Sequence, residues 1–191
     1  LVEELITVIE LRTGELETRY QQEVRIVDDI TAVITPTIQQ QQNIHGTGDT
    51  PVIHIDVNID ENLPPISAVP AYLQQIVNQL LTNAIKFTRT HDNQDIHVTL
   101  SVTANDTELE ISVRDKGIGI PDSAKTQIFD VFYQHNREYM EQQGAGMGLT
   151  IVEGLVQLHG GSVGVESVEG EGSIFTAVFP VSSGRETERP L

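Results

Sequence analysis

The spacing of apolar residues predicts several helices along the chain. The strongest runs from about Pro70 to Thr88, where apolar residues recur every three or four positions and share one side of a helix. A second clear helix is predicted from about Gly148 to His159, ended by the two glycines that follow it. Weaker patterns predict a helix over residues 1–20 and one from Asp28 or Asp29 to about Gln42, which Pro36 should kink or destabilise.

Alternation of apolar and polar residues predicts strands between these helices. The expected strands are residues 21–27, 52–59, 96–102, 109–113, 162–167 and 174–181. Short polar or glycine-containing turns join the last four into two antiparallel hairpins. Between the hairpins, a short helical piece is expected near Ala124 to Val131. This order predicts an α+β fold, a two-layer sandwich with an N-terminal helix and with helices on one face of a mixed, mostly antiparallel sheet.

Composition narrows the classes of protein that fit this pattern. The chain has 191 residues, no Cys and a formal net charge of −17. The lack of Cys excludes disulfides and cysteine nucleophiles, and no apolar run reaches the ~18 residues of a membrane span. The acidic balance argues against nucleic acid or anionic lipid as a partner, because no general positive field is available. An anionic ligand must therefore be held locally, by glycine loops, helix N-termini or a metal.

Three polar residues lie along one edge of the strongest predicted helix. Gln79, Asn83 and Lys86 are four and three positions apart and therefore share a stripe. A carboxamide oxygen can bind a hard cation such as Mg²⁺, and a lysine ammonium can meet a phosphate. The same residues are also common on ordinary helix surfaces, so the stripe alone decides nothing.

Two glycine-rich segments can bring backbone close to a ligand. The segment from Asp115 to Pro121 directly follows a strand, and its two glycines permit a sharp turn. The carboxylate of Asp115 can accept a hydrogen bond from an exocyclic amine. The glycines at 144, 146 and 148 open a helix, where free N–H groups and the helix dipole favour an anion. Taken singly, these segments are also typical of an Asp-led turn and of a flexible linker.

The segments together resemble the ATP-binding catalytic domain of sensor histidine kinases, with its N, G1, F and G2 boxes. They occur in the family's order: NAIKFT at 83–88, DKGIGIP at 115–121, IFDVF at 128–132 and GAGMGL at 144–149. The resemblance implies the Bergerat-type fold of the GHKL superfamily. It also implies a division into the end of a dimerisation-hairpin helix with its linker (1–20), the ATP-binding domain (21–181) and a loose tail (182–191).

The resemblance assigns a role to each matching residue. It implies that Asn83 is the Mg²⁺ ligand, that Lys86 contacts phosphate and that Asp115 receives the adenine amino group. Gln79 and Lys86 are its implied catalytic residues, and Phe129 and Phe132 would anchor a lid over roughly residues 121–147. The other nucleotide contacts that it implies are Gly117, Gly119, Ile120, Phe132, Gly144, Gly146, Met147, Gly148, Leu149 and Thr176.

Two departures from the family pattern bear on catalysis. Gln79 stands where many histidine kinases have asparagine and where related ATPases have a general-base glutamate, and Gln127 stands where an arginine often reaches the phosphates. Glutamine cannot act as a base, so efficient ATP hydrolysis is disfavoured. None of the six histidines lies in a phosphoacceptor setting, so the phosphorylated histidine is expected outside this sequence.

The resemblance implies a histidine kinase of two-component signalling, with ATP and Mg²⁺ as cofactors. It also implies a cytoplasmic location for this part of the protein and leaves open whether the parent protein is anchored in a membrane. Its implied partners are a dimerisation hairpin carrying the acceptor histidine, a response regulator and a second copy in a homodimer, without nucleic acid or direct membrane contact. Two other functions stay open: a nucleotide-sensing interaction module with weak or no catalysis, and an ATPase of the GHKL type.

Overall fold

A computed structural model of the chain describes residues 2–16, 22–24, 26–43, 51–89, 95–133 and 146–182. No helix in these ranges has both the length and the apolar character to cross a membrane. The described elements, in chain order, are α1 (Val2–Thr13), β1 (Gln22–Val24), α2 (Ile26–Asn43), β2 (Ile53–Ile59), β3 (Ile66–Ala68), α3 (Pro70–Arg89), β4 (Ile96–Ala104), β5 (Glu108–Arg114), α4 (Gly148–Leu158), β6 (Ser162–Val168) and β7 (Gly172–Pro180).

Five of the strands form one mixed sheet in the order β2-β4-β5-β7-β6. β2 pairs with β4 in parallel, and the other three pairings are antiparallel. β4–β5 and β6–β7 are the two predicted hairpins. The short strands β1 and β3 pair antiparallel in a separate two-stranded sheet. The prediction of a mixed, mostly antiparallel sheet is therefore confirmed.

Helices cover one face of this sheet, as the alternation along its strands requires. In β4, Val98 and Leu100 are fully buried, whereas His97 is exposed on the opposite face. Leu73 and Ile76 of α3 are fully buried on the helix side. Each fully buried side chain of this size contributes about 1.5–3 kcal/mol to stability. The two-layer sandwich is therefore held by apolar burial between α3, α4 and one sheet face.

α1 lies against α4 rather than apart from the domain. Val8 is buried, and Leu11 approaches Gly154 so closely that a Cβ there would lie 2.7 Å from Leu11 Cδ1. The helix ends at Thr13, and Gly14 takes a left-handed φ of 72°. Glycine adopts this left-handed conformation without the steric cost that other residues meet, and the conformation ends the helix. α1 therefore stops before residue 20, where the prediction placed its end.

The structure corrects the predicted start of α2. The helix begins at Ile26, so Asp28 and Asp29 lie inside its first turn, where their charges favour the helix dipole, and do not cap it. Pro36 lies inside the helix, as predicted. The Thr37 hydroxyl lies 2.7 Å from both the Val33 carbonyl and Asn78 Oδ1, which ties the following turn to α3.

Two shorter segments also differ from the prediction. The expected helix near residues 124–131 is a run of turns, with the Ala124 N–H bonded to the Pro121 carbonyl and the Gln127 N–H to the Ala124 carbonyl. Bonds across three residues close tighter turns than an α-helix has. β3 is absent from the prediction, since three residues are too few to show an alternation.

Candidate functional site

A buried carboxylate sits where β5 ends. Asp115 is only 5% exposed, and its Oδ1 accepts hydrogen bonds from the backbone N–H groups of Gly117 (2.8 Å) and Ser173 (3.3 Å). Its own N–H donates to the Ser173 carbonyl. Burial raises the pKa of Asp115, and the two N–H donors oppose that rise. The carboxylate is therefore a hydrogen-bond acceptor shielded from water, and a hydrogen bond to it from a ligand's amine would be strong.

The loop after Asp115 is locked against the β6–β7 hairpin. The Ile120 N–H donates to Ser167 Oγ at 2.8 Å, and the Gly170 N–H donates to the Ile118 carbonyl at 2.7 Å. Gly119 has a left-handed φ of 65°, and a Cβ there would overlap the Val168 carbonyl. This loop therefore has one conformation, and Gly119 is required for it.

Replacing Gly119 with alanine is expected to lower the free energy of unfolding by about 3 kcal/mol, because strained φ and steric overlap act together. Gly164→Ala is the matched control, since a Cβ at Gly164 in β6 meets no atom within 4 Å. That control is expected to change stability by less than ~1 kcal/mol. Urea unfolding followed by circular dichroism measures both variants. Equal stability of the two would show that the loop tolerates another conformation.

A second group of predicted residues meets where α4 begins. A Cβ on Gly148 would lie 2.7 Å from Gln79 Oε1 and 3.8 Å from Asn83 Nδ2, so the start of α4 rests on α3. Gly146 has a left-handed φ of 69°, and Met147 makes no side-chain cap for the helix. The first N–H groups of α4 therefore lie beside Gln79 and Asn83, which is an arrangement suited to an anion.

Lys86 adds a positive charge one turn further along α3. Burial lowers the pKa of its ammonium to about 8, and the charge of Glu4 acts in the opposite direction. Its Nζ lies 5.1 Å from the ring centroid of Phe87. A lysine held this way carries a charge that responds to pH near neutrality and to any anion that binds beside it.

Glu4 joins this group from α1, which the sequence did not predict. The Gln79 Nε2 amide donates to Glu4 Oε1 at 3.3 Å. The residue is half-buried, although it lies on a helix whose apolar stripe at 2, 5, 6 and 9 is exposed. Its position depends on how α1 packs on α4, which residue spacing within α1 does not reveal.

The segment of the predicted lid that the structure describes is tied to the start of α4. The Phe132 N–H donates to the Gly146 carbonyl at 3.1 Å, and Thr150 Oγ1 donates to the Phe129 carbonyl at 2.8 Å. Phe132 has a φ of 64°, and its side chain is 57% exposed. Gly144 lies outside the described residues. Phe132 and Gly146, which both lie within the predicted lid of roughly residues 121–147, are thus in direct contact.

The structure does not bring Thr176 to this site. In β7, Phe175 and Ala177 are buried on the helix side, so Thr176 between them lies on the opposite face, paired with Ser112 and Gly164. Ser173 is the β7 residue whose N–H donates to the Asp115 carboxylate. Ser173 lies on the same face of β7 as Phe175 and Ala177, so the alternation of faces along this strand is a sequence signal that could have identified it. The remaining predicted contacts, Ile120 and Leu149, are half-buried.

Comparison with known proteins decides the family. The family described as "Histidine kinase-, DNA gyrase B-, and HSP90-like ATPase" matches residues 68–183. This chain belongs to that family. The match includes both clusters of the candidate site, the one at Asp115 and the one at the start of α4. Glu4 lies outside it.

Named relatives of the ATPase-family domain are sensor kinases. The chain is 33% identical over 162 residues to the circadian input-output histidine kinase CikA of Synechococcus elongatus, covering 84% of this chain and 21% of that protein. It is 34% identical over 175 residues to the sensor histidine kinase RcsC of Escherichia coli, covering 91% of this chain and 17% of RcsC. The chain thus spans about a fifth of the length of these relatives.

Solved structures share the ATPase-family fold. Full-length ShkA in complex with AMPPNP superposes with a TM-score of 0.74 at 28% identity, over 94% of this chain and 35% of ShkA. The catalytic domain of the histidine kinase ThkA, in a nucleotide-free form, superposes with a TM-score of 0.67 at 22% identity, over 84% of this chain and 97% of ThkA. The predicted fold class is therefore confirmed.

Proposed function

We propose that this chain binds Mg·ATP and donates the γ-phosphate to a histidine on a dimerisation hairpin outside this sequence, as part of two-component signalling. The observation that carries the proposal is the pairing of two clusters in one ATPase-family domain. One offers a buried acceptor to a base, and the other offers N–H groups and a lysine to an anion. Such a site would act by positioning and charge neutralisation more than by covalent chemistry.

The cluster at Asp115 is suited to adenine. Both backbone donors that reach its carboxylate among the described residues contact Oδ1. Oδ2 is therefore placed to accept from an exocyclic amine such as that of adenine. Guanine presents a carbonyl oxygen at the corresponding ring position, and two acceptors facing each other in a buried site are unfavourable. Gly117 allows the loop after Asp115 to pack closely on α3, since a Cβ at this position would lie 2.6 Å from the Phe87 carbonyl.

The cluster at the start of α4 is suited to phosphates. Lys86 and the first N–H groups of α4 supply positive charge, and Asn83 supplies a neutral oxygen ligand for Mg²⁺. Among the described residues there is no group of three acidic or histidine side chains that could hold a metal ion. The residues present fit Mg²⁺, which commonly keeps waters and takes phosphate oxygens as ligands. When bound, the ion would neutralise negative charge on the phosphates, which a chain with a net charge of −17 does not offset by itself.

The proposal also covers the division of the chain into segments, its binding partners and its location. We place residues 1–20 at the end of the dimerisation hairpin, residues 21–181 in the ATP-binding domain and residues 182–191 in a tail. The hairpin, a response regulator and a second copy of the chain are the proposed partners. A cytoplasmic location follows from ATP as the substrate.

Incubation with labelled ATP tests the kinase function. A longer chain that carries the hairpin should become labelled, and the label should be lost in acid and kept in base, as expected for phosphohistidine. A folded hairpin-bearing protein that binds ATP yet never labels would overturn transfer and favour a nucleotide-sensing module. If a Gln79→Asn variant of that protein became labelled, Gln79 would be the cause of the missing phosphoryl transfer.

Lys86 should make ATP affinity fall as pH rises. With its pKa near 8, Lys86 is mostly charged at pH 7 and mostly neutral at pH 9. Only the charged form attracts phosphate, so the affinity should fall about tenfold between these values. Lys86→Arg is the control, because arginine stays charged and should give a much flatter profile. Calorimetric titration at several pH values measures both, and parallel profiles would exclude Lys86 from the phosphate site.

A further inference from the structure

The carboxylate of Glu4 lies at the position where the sequence lacks a base. Position 79 carries glutamine, which cannot take a proton from water. The structure places Glu4 Oε1 at 3.3 Å from Gln79 Nε2, within hydrogen-bonding reach. A carboxylate is therefore present beside residue 79, although it belongs to a helix 75 positions earlier in the chain.

Gln79 links this carboxylate to the proposed phosphate site. Its Oε1 lies 2.7 Å from where a Cβ of Gly148 would be, at the start of α4. Its Nε2 holds Glu4. One side chain thus contacts the anion-binding helix start with one end and the carboxylate with the other. Lys86, whose charge interacts with Glu4, lies on the same helix as Gln79.

Solvent has access to the same place. A cleft of about 820 Å³ opens between α1, α2 and α3, and both Glu4 and Gln79 line it. Its other lining residues include Thr82 and Asn78, which are polar. Water in this cleft can therefore reach the carboxylate. Val8 and Leu11 hold α1 in place by packing against the domain, so the carboxylate is held there by the fold.

We propose that Glu4 is a general base for ATP hydrolysis by this chain, with Gln79 as the residue that positions it. The water oxygen attacks the γ-phosphorus, and the bond from that phosphorus to the β,γ-bridging oxygen breaks. ADP leaves, inorganic phosphate forms, and the proton of the attacking water goes to the Glu4 carboxylate. The inference rests on the proposed ATP binding, but it does not need an acceptor histidine.

Phosphate release and ATP binding, measured separately on the 191-residue chain, test this inference. Glu4→Gln keeps an oxygen that can accept from Gln79 and removes the base, so hydrolysis should fall about a hundredfold while the ATP dissociation constant stays within about twofold. Glu4→Ala should behave alike. Glu3→Gln is the matched control: it makes the same charge change one residue earlier, at an exposed carboxylate that lines the same cleft, and should hydrolyse ATP as wild type does, because the residue bonded to Gln79 is Glu4.

The double variant Glu4→Gln with Gln79→Glu gives the sharpest result. It moves the carboxylate to position 79 and should restore hydrolysis to within about tenfold of wild type. Three results would overturn the inference while ATP binding still stands: no hydrolysis by wild type, an unchanged rate in Glu4→Gln, or tighter ATP binding together with faster hydrolysis in that variant, which would show that Glu4 only competes with phosphate. If wild type binds no ATP, the proposed function fails as well.

Discussion

Replacing Asp115 with asparagine should weaken ATP binding about a hundredfold and leave the domain folded. The asparagine oxygen can still accept from the N–H groups of Gly117 and Ser173, which hold the loop and β7 together. Its NH₂ group would then face the proposed adenine amine, so a donor would meet a donor in a buried place. Loss of a charged acceptor plus one unsatisfied donor costs about 3 kcal/mol, which is roughly a hundredfold in affinity.

The same variant should change which base is preferred. A nucleotide with a carbonyl in place of the amine, such as inosine triphosphate, can accept from the new NH₂ group and should bind the variant better than it binds wild type. Asp122→Asn is the control, because Asp122 is exposed and pairs with Lys125 at 2.7 Å. Calorimetric titration with both nucleotides measures the effect. Unchanged ATP affinity in Asp115→Asn would show that adenine binds elsewhere.

Removing divalent metal should weaken ATP binding by a comparable amount. The chain carries a net charge of −17, and its described site offers Lys86 and helix N–H groups against the charge of a triphosphate. A bound metal ion supplies several kcal/mol of charge stabilisation in such sites, so a chelator should lower the affinity about a hundredfold. The metal alone should bind weakly, because Asn83 is a neutral ligand.

Two comparisons separate this metal effect from a general salt effect. AMP lacks the outer phosphates, so its affinity should be nearly independent of the chelator. Asn83→Ala should bind ATP weakly with or without metal, whereas Asn78→Ala, on the same helix but facing Thr37 of α2, should keep the metal dependence. If wild type binds ATP equally well with and without chelator, a metal ion has no role in the proposed ATP site.

Local patterns in the sequence are enough to predict the fold and to group many residues of the candidate site. Residues of α3 share a stripe because helical spacing is regular, so the positions of Gln79, Asn83 and Lys86 in the sequence suffice to group them. The alternation in β4 and β5 predicts which residues face the helices. Gly119 has a left-handed φ, as the glycine pattern suggests.

Contacts between distant elements cannot be predicted in this way. Glu4 reaches Gln79 from a helix that packs on α4 with Leu11 against Gly154, and residue spacing within α1 does not predict that packing. The prediction of Thr176 rests on family position, whereas strand alternation places Ser173 at Asp115. The predicted start of α2 is wrong because Asp28 and Asp29 are typical of both a cap and a first helical turn.

The bond between Asp115 and Ser173 also affects when the domain can first hold a ligand during synthesis. Ser173 follows Asp115 by 58 residues, and Gly172 packs on the Asp115 carbonyl. A nascent chain that ends before β7 contains every residue of α3 and yet lacks one wall of the proposed base pocket. If the proposed pocket binds nucleotide, the stabilising effect of nucleotide should begin only after this strand leaves the ribosome.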